Sequence, residues 1–169
     1  EVIEHLGKPL ADFWDEKKLQ TPKEPKVYLF VGSFGGPAGL LLSNHKKVKK
    51  VIAFASVVDW KMKSKDEPHD WMFGFIKNAF GEGYRMSKKD WGKLGGASFY
   101  DPMQQLDKVA PQKILMFHAK DDRSVPIQTV QNFSQVSGAM LLTTARGGHL
   151  GLSEVMNPDT WQEIKKFLK

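Results

Sequence analysis

At 169 residues, 41% hydrophobic and 26% charged, the chain has the size and composition of one globular domain with a sizeable core. It contains no cysteine, which excludes disulfides and thiolate metal sites. The net charge of +6 comes mainly from scattered lysine pairs (Lys46-Lys47, Lys49-Lys50, Lys88-Lys89, Lys165-Lys166) without arginine clusters or interleaved aromatics, the pattern of a solvated surface and not of a nucleic-acid face. No apolar run approaches the ~18 residues of a membrane span and no signal-peptide pattern is present, so a cytoplasmic protein without membrane or nucleic-acid partners is expected.

Val2, Ile3, Leu6, Leu10, Phe13 and Trp14 recur at helical spacing, and Gly7 and Pro9 are set to interrupt that helix. Thr21-Pro22-Lys23-Glu24-Pro25 reads as a rigid polar connector. The apolar run Val27 to Val31 predicts a buried strand, which leads into Val31-Gly32-Ser33-Phe34-Gly35-Gly36; Ala38-Gly39-Leu40-Leu41-Leu42 leaves it as a helix. Glycines at 32, 35 and 36 let the backbone turn sharply and let helix and strand pack closely. A serine at the tip of such a turn has its hydroxyl lifted out of the sheet, the geometry a nucleophile needs.

Beyond a polar break at Asn44-His45, where His45 is expected to be exposed, Val48 to Val58 predicts a second buried strand. Asp59 follows the strand end; its commoner role is to cap a turn, and it is a reserve candidate for an acid. Residues 61–100 lack the strand rhythm, and their aromatics and glycines predict helices and loops inserted between strands. His69, within Asp66-Glu67-Pro68-His69-Asp70, reads as part of a solvated turn, since no second histidine stands at ligand spacing.

Pro111 to His118 predicts another buried strand, running into Ala119-Lys120-Asp121-Asp122-Arg123-Ser124-Val125-Pro126 and then a helix from about Ile127 to Val136. Gly138 ends that helix, Ala139 to Thr144 forms a last strand, and Arg146-Gly147-Gly148-His149-Leu150-Gly151 follows. Glycines before His149 leave its imidazole free to swing toward a serine. Asn157-Pro158 starts a terminal helix whose apolar stripe is Trp161, Ile164, Phe167 and Leu168. Strands alternating with helices predict an α/β fold: a mostly parallel sheet with helices on both faces.

The stretch around Ser33 resembles the nucleophile elbow of the α/β-hydrolases, and Gly32-Ser33-Phe34-Gly35-Gly36 is similar to its prolyl-oligopeptidase-like branch. The usual pattern is G-x-S-x-G; here Val31 takes the first glycine's place, where a β-branched side chain is expected to crowd the turn. His118 to Pro126 resembles the family's acid loop, H-G-x-x-D-x-x-V-P, with Ala119 in place of glycine, Asp122 at the acid position, and Asp121 turned to solvent or bonded to loop amides. Gly147-Gly148-His149 is similar to the family's histidine loop, and the order serine, acid, histidine agrees with it.

The resemblance implies a serine hydrolase of esters or peptides working through an acyl-enzyme, with Ser33, His149 and Asp122 as triad, the backbone N–H of Phe34 as an oxyanion donor, and no cofactor or metal. It covers nearly the whole chain as the second half of that fold, with residues 61–100 where the family places a lid. The family's N-terminal strands, and the loop that carries its second oxyanion donor, have no counterpart, so weak activity of the isolated chain is expected. The alternative is a non-catalytic hydrolase-like fragment for binding or assembly. In either case an exposed sheet edge would invite homo-oligomers; a flavodoxin-like binding module is a distant third reading.

Overall fold

The structure is a computed structural model that describes residues 2–5, 10, 11, 18, 19, 24–62, 64, 66–94 and 100–169. Its first elements are α1 (Val2–His5), β1 (Leu10–Ala11) and β2 (Lys18–Leu19), with Leu10 paired antiparallel to Leu19. Of the residues expected at helical spacing, Val2 and Ile3 lie in α1, whereas Leu10 belongs to a strand. Glycine and proline, which stand between them in the sequence at positions 7 and 9, are poor helix formers. Leu6, Gly7, Pro9, Phe13 and Trp14 lie outside the described residues.

The main sheet contains β3 (Val27–Gly32), β4 (Val48–Phe54), β5 (Ile114–Ala119) and β6 (Met140–Thr144), in that spatial order and parallel throughout. The helices connecting and flanking it are α2 (Gly36–Leu42), α3 (His69–Phe80), α4 (Lys88–Trp91), α5 (Ile127–Ser137) and α6 (Pro158–Leu168). Successive strand residues face opposite sides of a sheet, and the core divides accordingly. Val51, Ala53, Ile114 and Met116 pack with Leu40 of α2 and with Val130 and Phe133 of α5. Ile52, Phe54, Leu115 and Phe117 pack on the other side with Ile164 and Phe167 of α6. The predicted parallel sheet covered on both faces is what the chain forms.

Two boundaries and the burial of one side chain differ from expectation. β4 stops at Phe54, not Val58, because Ala55 takes φ +41, in the left-handed region; its N–H still reaches Phe117 O at 3.0 Å. Residues 111–113 form a short 3-10 turn ahead of β5, where proline cannot donate to a sheet ladder. His45 is half-buried and pairs through Nε2 with Glu4 Oε1 at 2.6 Å, since α1 lies beside it. The expected terminators hold: Gly138 caps α5 at φ +80, and Asn157 Oδ1 accepts from Asp159 N–H at 3.0 Å at the start of α6. Among the described residues no helix is long and apolar enough to cross a membrane.

Candidate active site

The site forms at the carboxyl ends of the strands. Gly32 leaves β3 extended (φ −152°, ψ 159°), and Ser33 then adopts φ +47°. An L-residue held there carries about 1–3 kcal/mol of strain, which persists only where the surroundings enforce it. Here the end of β4 does so. Val57 N–H donates to Ser33 O at 3.1 Å, and the backbone packs so closely that a Cβ on Gly36 would collide with the Ser56 side chain, while one on Gly32 would lie 3.2 Å from Phe54 O.

Val31, expected to crowd the turn, is accommodated from the helix side. A Cβ on Gly39 would lie 2.6 Å from Val31 Cγ1 and 2.8 Å from Cγ2, so the valine methyls occupy the space left by a glycine eight positions later. The residue after Ser33, Phe34, sits in the first turn of a 3-10 segment (Ser33–Gly35), where N–H groups have no intrahelical acceptor. Its N–H is thus free in kind to meet an oxyanion.

Asp122 lies in the loop between β5 and α5, its side chain fully buried. Oδ1 accepts from the backbone N–H groups of Ser124 (2.9 Å) and Val125 (3.0 Å), and Oδ2 accepts from His149 Nδ1 at 2.9 Å. Burial works against the ionised carboxyl, but the hydrogen bonds from His149 and the Val125 N–H outweigh it and hold Asp122 below the usual carboxylate range. The same contact raises His149 above its ordinary value against the effect of its own partial burial. With Nδ1–H directed to a carboxylate, Nε2 carries the lone pair that can take a proton.

The histidine loop is shaped for this contact. Gly148 takes φ +60 and donates its N–H to Asp121 Oδ1 at 2.8 Å, so Asp121 bonds to a loop amide while Asp122 meets the ring. Leu152, three residues past His149, packs 3.9 Å from where a Gly32 Cβ would be, which brings this loop back against the serine turn. The structure therefore joins Asp122 and His149 directly and sets Ser33 at the same edge; among the described residues no hydrogen bond links Ser33 Oγ to His149. Catalytic contacts of this kind are often open in the absence of substrate.

Two other histidines have different settings. His118, at the end of β5, directs Nε2 to Val125 O at 2.8 Å and lies 3.4 Å from Asp122 Oδ2; burial pushes it below its ordinary value, which makes it a neutral brace for the acid loop. His69 is not part of a solvated turn. It is half-buried against Trp91 (ring centroids 5.0 Å) and lines a pocket with Ser33 because α3 folds back over the elbow. Asp59 Oδ1 accepts from Lys61 N–H at 2.8 Å, the turn-capping role.

That pocket is a partly open cleft with a cavity volume of about 30 Å³, and its walls include Phe34, Trp60, Trp91 and Glu67. The reading of residue types missed Glu67 and Ser124, which meet there (Ser124 Oγ to Glu67 Oε1, 2.9 Å) although 57 positions apart. Nearby Asp66 pairs with Arg123 Nε at 2.7 Å. Opposite charges and hydroxyls at such separation leave no local pattern by which to find them. Among the described residues no group of three His, Asp or Glu side chains is placed to hold a metal ion.

No family model matches the chain and no curated protein matches its sequence. Solved structures do. An esterase from Pyrococcus furiosus superposes with a TM-score of 0.56 at 14% identity, covering 85% of this chain and 53% of the esterase. A serine hydrolase from the polyaromatic-hydrocarbon-degrading bacterium Cycloclasticus zankles gives 0.52 at 13% identity, over 85% of this chain and 63% of its own. An acylaminoacyl peptidase from Pyrococcus horikoshii gives 0.52 at 16% identity, over 85% of this chain and 23% of the peptidase. The chain thus spans less than two thirds of each. With a parallel sheet, a serine on a left-handed turn and an Asp–His pair following in that order, the chain has the α/β-hydrolase fold.

Proposed function

We propose that this chain is a serine hydrolase that cleaves an ester or peptide bond through an acyl-enzyme. The observation that carries the reading is the 2.9 Å contact between His149 Nδ1 and the buried carboxylate of Asp122, at the sheet edge where Ser33 is held at φ +47. A serine hydroxyl is a weak nucleophile at neutral pH and needs an adjacent base. His149 Nε2 takes the Ser33 Oγ proton as Oγ attacks the substrate carbonyl, and returns it to the leaving group as the tetrahedral intermediate collapses. Water then repeats the sequence on the acyl-enzyme and regenerates Ser33. Asp122 stays ionised, fixes the imidazole tautomer and stabilises the imidazolium. Phe34 N–H stabilises the oxyanion; loss of one such donor costs about 10²–10³ in rate in a hydrolase with two.

In this reading the substrate is a small ester or peptide, the setting is cytoplasmic, and self-association runs through β3, the sheet edge on which Tyr28 and Phe30 are exposed. The test is labelling by a fluorophosphonate, which reacts rapidly only with an activated serine, together with hydrolysis of p-nitrophenyl acetate. Wild-type protein is expected to label and turn over, and Ser33→Ala to do neither. Equal background in both would remove the enzymatic reading and leave a hydrolase-like binding or assembly module.

A further inference from the structure

The proposed triad chemistry leaves one carboxylate in the Ser33 pocket unused. Glu67 stands at the start of the insertion, ahead of α3, and its backbone N–H donates to Ser64 Oγ at 3.0 Å. Ser124 Oγ donates to its Oε1 at 2.9 Å, and the neighbouring Asp66–Arg123 ion pair ties the same two segments together. Glu67 is therefore latched to the acid loop with one carboxylate oxygen engaged; Oε2 accepts no hydrogen bond among the described residues.

The other walls are aromatic. Phe34 stacks on Trp60 with centroids 5.2 Å apart, Trp60 meets Trp91 edge-on at 6.4 Å, and all three line the pocket. His69 lies over Trp91, and burial holds it below its ordinary value, in the neutral form. Among the described residues no lysine or arginine lines this space, although the chain as a whole carries net charge +6. Among the described lining residues, a carboxylate oxygen that accepts no hydrogen bond and three aromatic rings stand without a lysine or arginine beside them.

From this we infer that the pocket beside Ser33 binds the ammonium end of a cationic substrate, between Glu67 and the rings of Phe34, Trp60 and Trp91. Aromatic quadrupoles attract a cation over their faces, and a carboxylate in a partly desolvated pocket attracts it far more strongly than in bulk water. Guanidinium recognition calls for a fork of two carboxylate oxygens. Oε1 already accepts from Ser124, which makes a point-like ammonium on Oε2 a better match than a symmetric fork. The inference rests on the Ser33 site being a substrate pocket, and its test reads binding without turnover.

The full chain is titrated with choline and with its uncharged isostere 3,3-dimethylbutan-1-ol, following tryptophan fluorescence. Choline is expected to bind about tenfold more tightly, the preference falling to about threefold or less in Glu67→Gln and returning in part in Glu67→Asp. Equal affinities in the wild type, no binding of either probe, or an undiminished preference in a folded Glu67→Gln each overturn the inference; the wild-type comparison decides by itself if the variant does not fold. Choline preference without fluorophosphonate labelling would leave this pocket standing and remove the hydrolase, whereas labelling with equal affinities would do the reverse.

Discussion

Asp122→Asn separates the roles of the buried carboxylate with one change of shape-matched atoms. The wild-type side chain is fully buried and accepts hydrogen bonds at 2.9, 3.0 and 2.9 Å from Ser124 N–H, Val125 N–H and His149. An asparagine keeps an oxygen for the two loop amides but presents an NH₂ to His149 Nδ1 and to the Nε2–H of His118, which lies 3.4 Å away. One charge-assisted bond is lost, about 1.5–3 kcal/mol in a buried setting. Because the His149 side chain is one-third exposed, solvent screening puts the expected loss at the lower end, about 1.5 kcal/mol. The catalytic effect is larger. The amide NH₂ forces Nδ1 to accept, leaving the proton on Nε2, where it cannot receive another from Ser33; the wrong tautomer costs a hydrolase of this kind about 10⁴ in kcat. Urea denaturation followed by tryptophan fluorescence reads the first quantity, and p-nitrophenyl acetate turnover the second. An Asp122→Asn protein within about tenfold of wild-type kcat would refute the assignment of Asp122 as the residue that sets the His149 tautomer.

The fit of Val31 against Gly39 gives a stability test away from the chemistry: Gly39→Ala places a methyl 2.6 Å from Val31 Cγ1 and is expected to cost about 1–3 kcal/mol in urea denaturation. Adding Val31→Ala removes the opposing methyls and should recover at least about half of that loss; strictly additive destabilisation would show that the two side chains do not compete for the same space. The pH dependence follows from the Asp122–His149 contact. His149 must be neutral to act as base and its value is raised, so the acid limb of kcat/KM is expected with a midpoint above about 6.5 and should move down in Asp122→Asn. A wild-type midpoint below that value would contradict the pairing. For stability the signs are opposite for the two partners: the His149 contribution is complete below about 6.5 and is lost as pH rises through its raised folded value. The Asp122 contribution is complete above about 4 and is lost as pH falls through its depressed one. The pair therefore stabilises most between those limits, which a series of urea midpoints across pH would show.

Much of the architecture was legible in the chain itself, because short-range patterns respond to short-range physics. Apolar runs bounded by turn residues located β3 to β6, Gly138 and Asn157 marked helix ends, and the resemblance of His118 to Pro126 to the α/β-hydrolase acid loop set Asp122 ahead of Asp121. Where two signals within a few residues conflicted, the spacing misled: Leu10 carries a helical period yet lies in a strand beyond Gly7 and Pro9, and Ala55 ends β4 with a left-handed residue that its type does not announce. Other features depend on where distant segments cross after packing. Val31 and Gly39 are both plain in the sequence, but only the passage of α2 over β3 makes one the space-giver of the other. Glu67 and Ser124, 57 positions apart, acquire a shared pocket only when the insertion folds onto the acid loop. Residue type and spacing constrain backbone conformation over one or two turns of chain, whereas the partner of a buried carboxylate is chosen by the packing of the whole sheet.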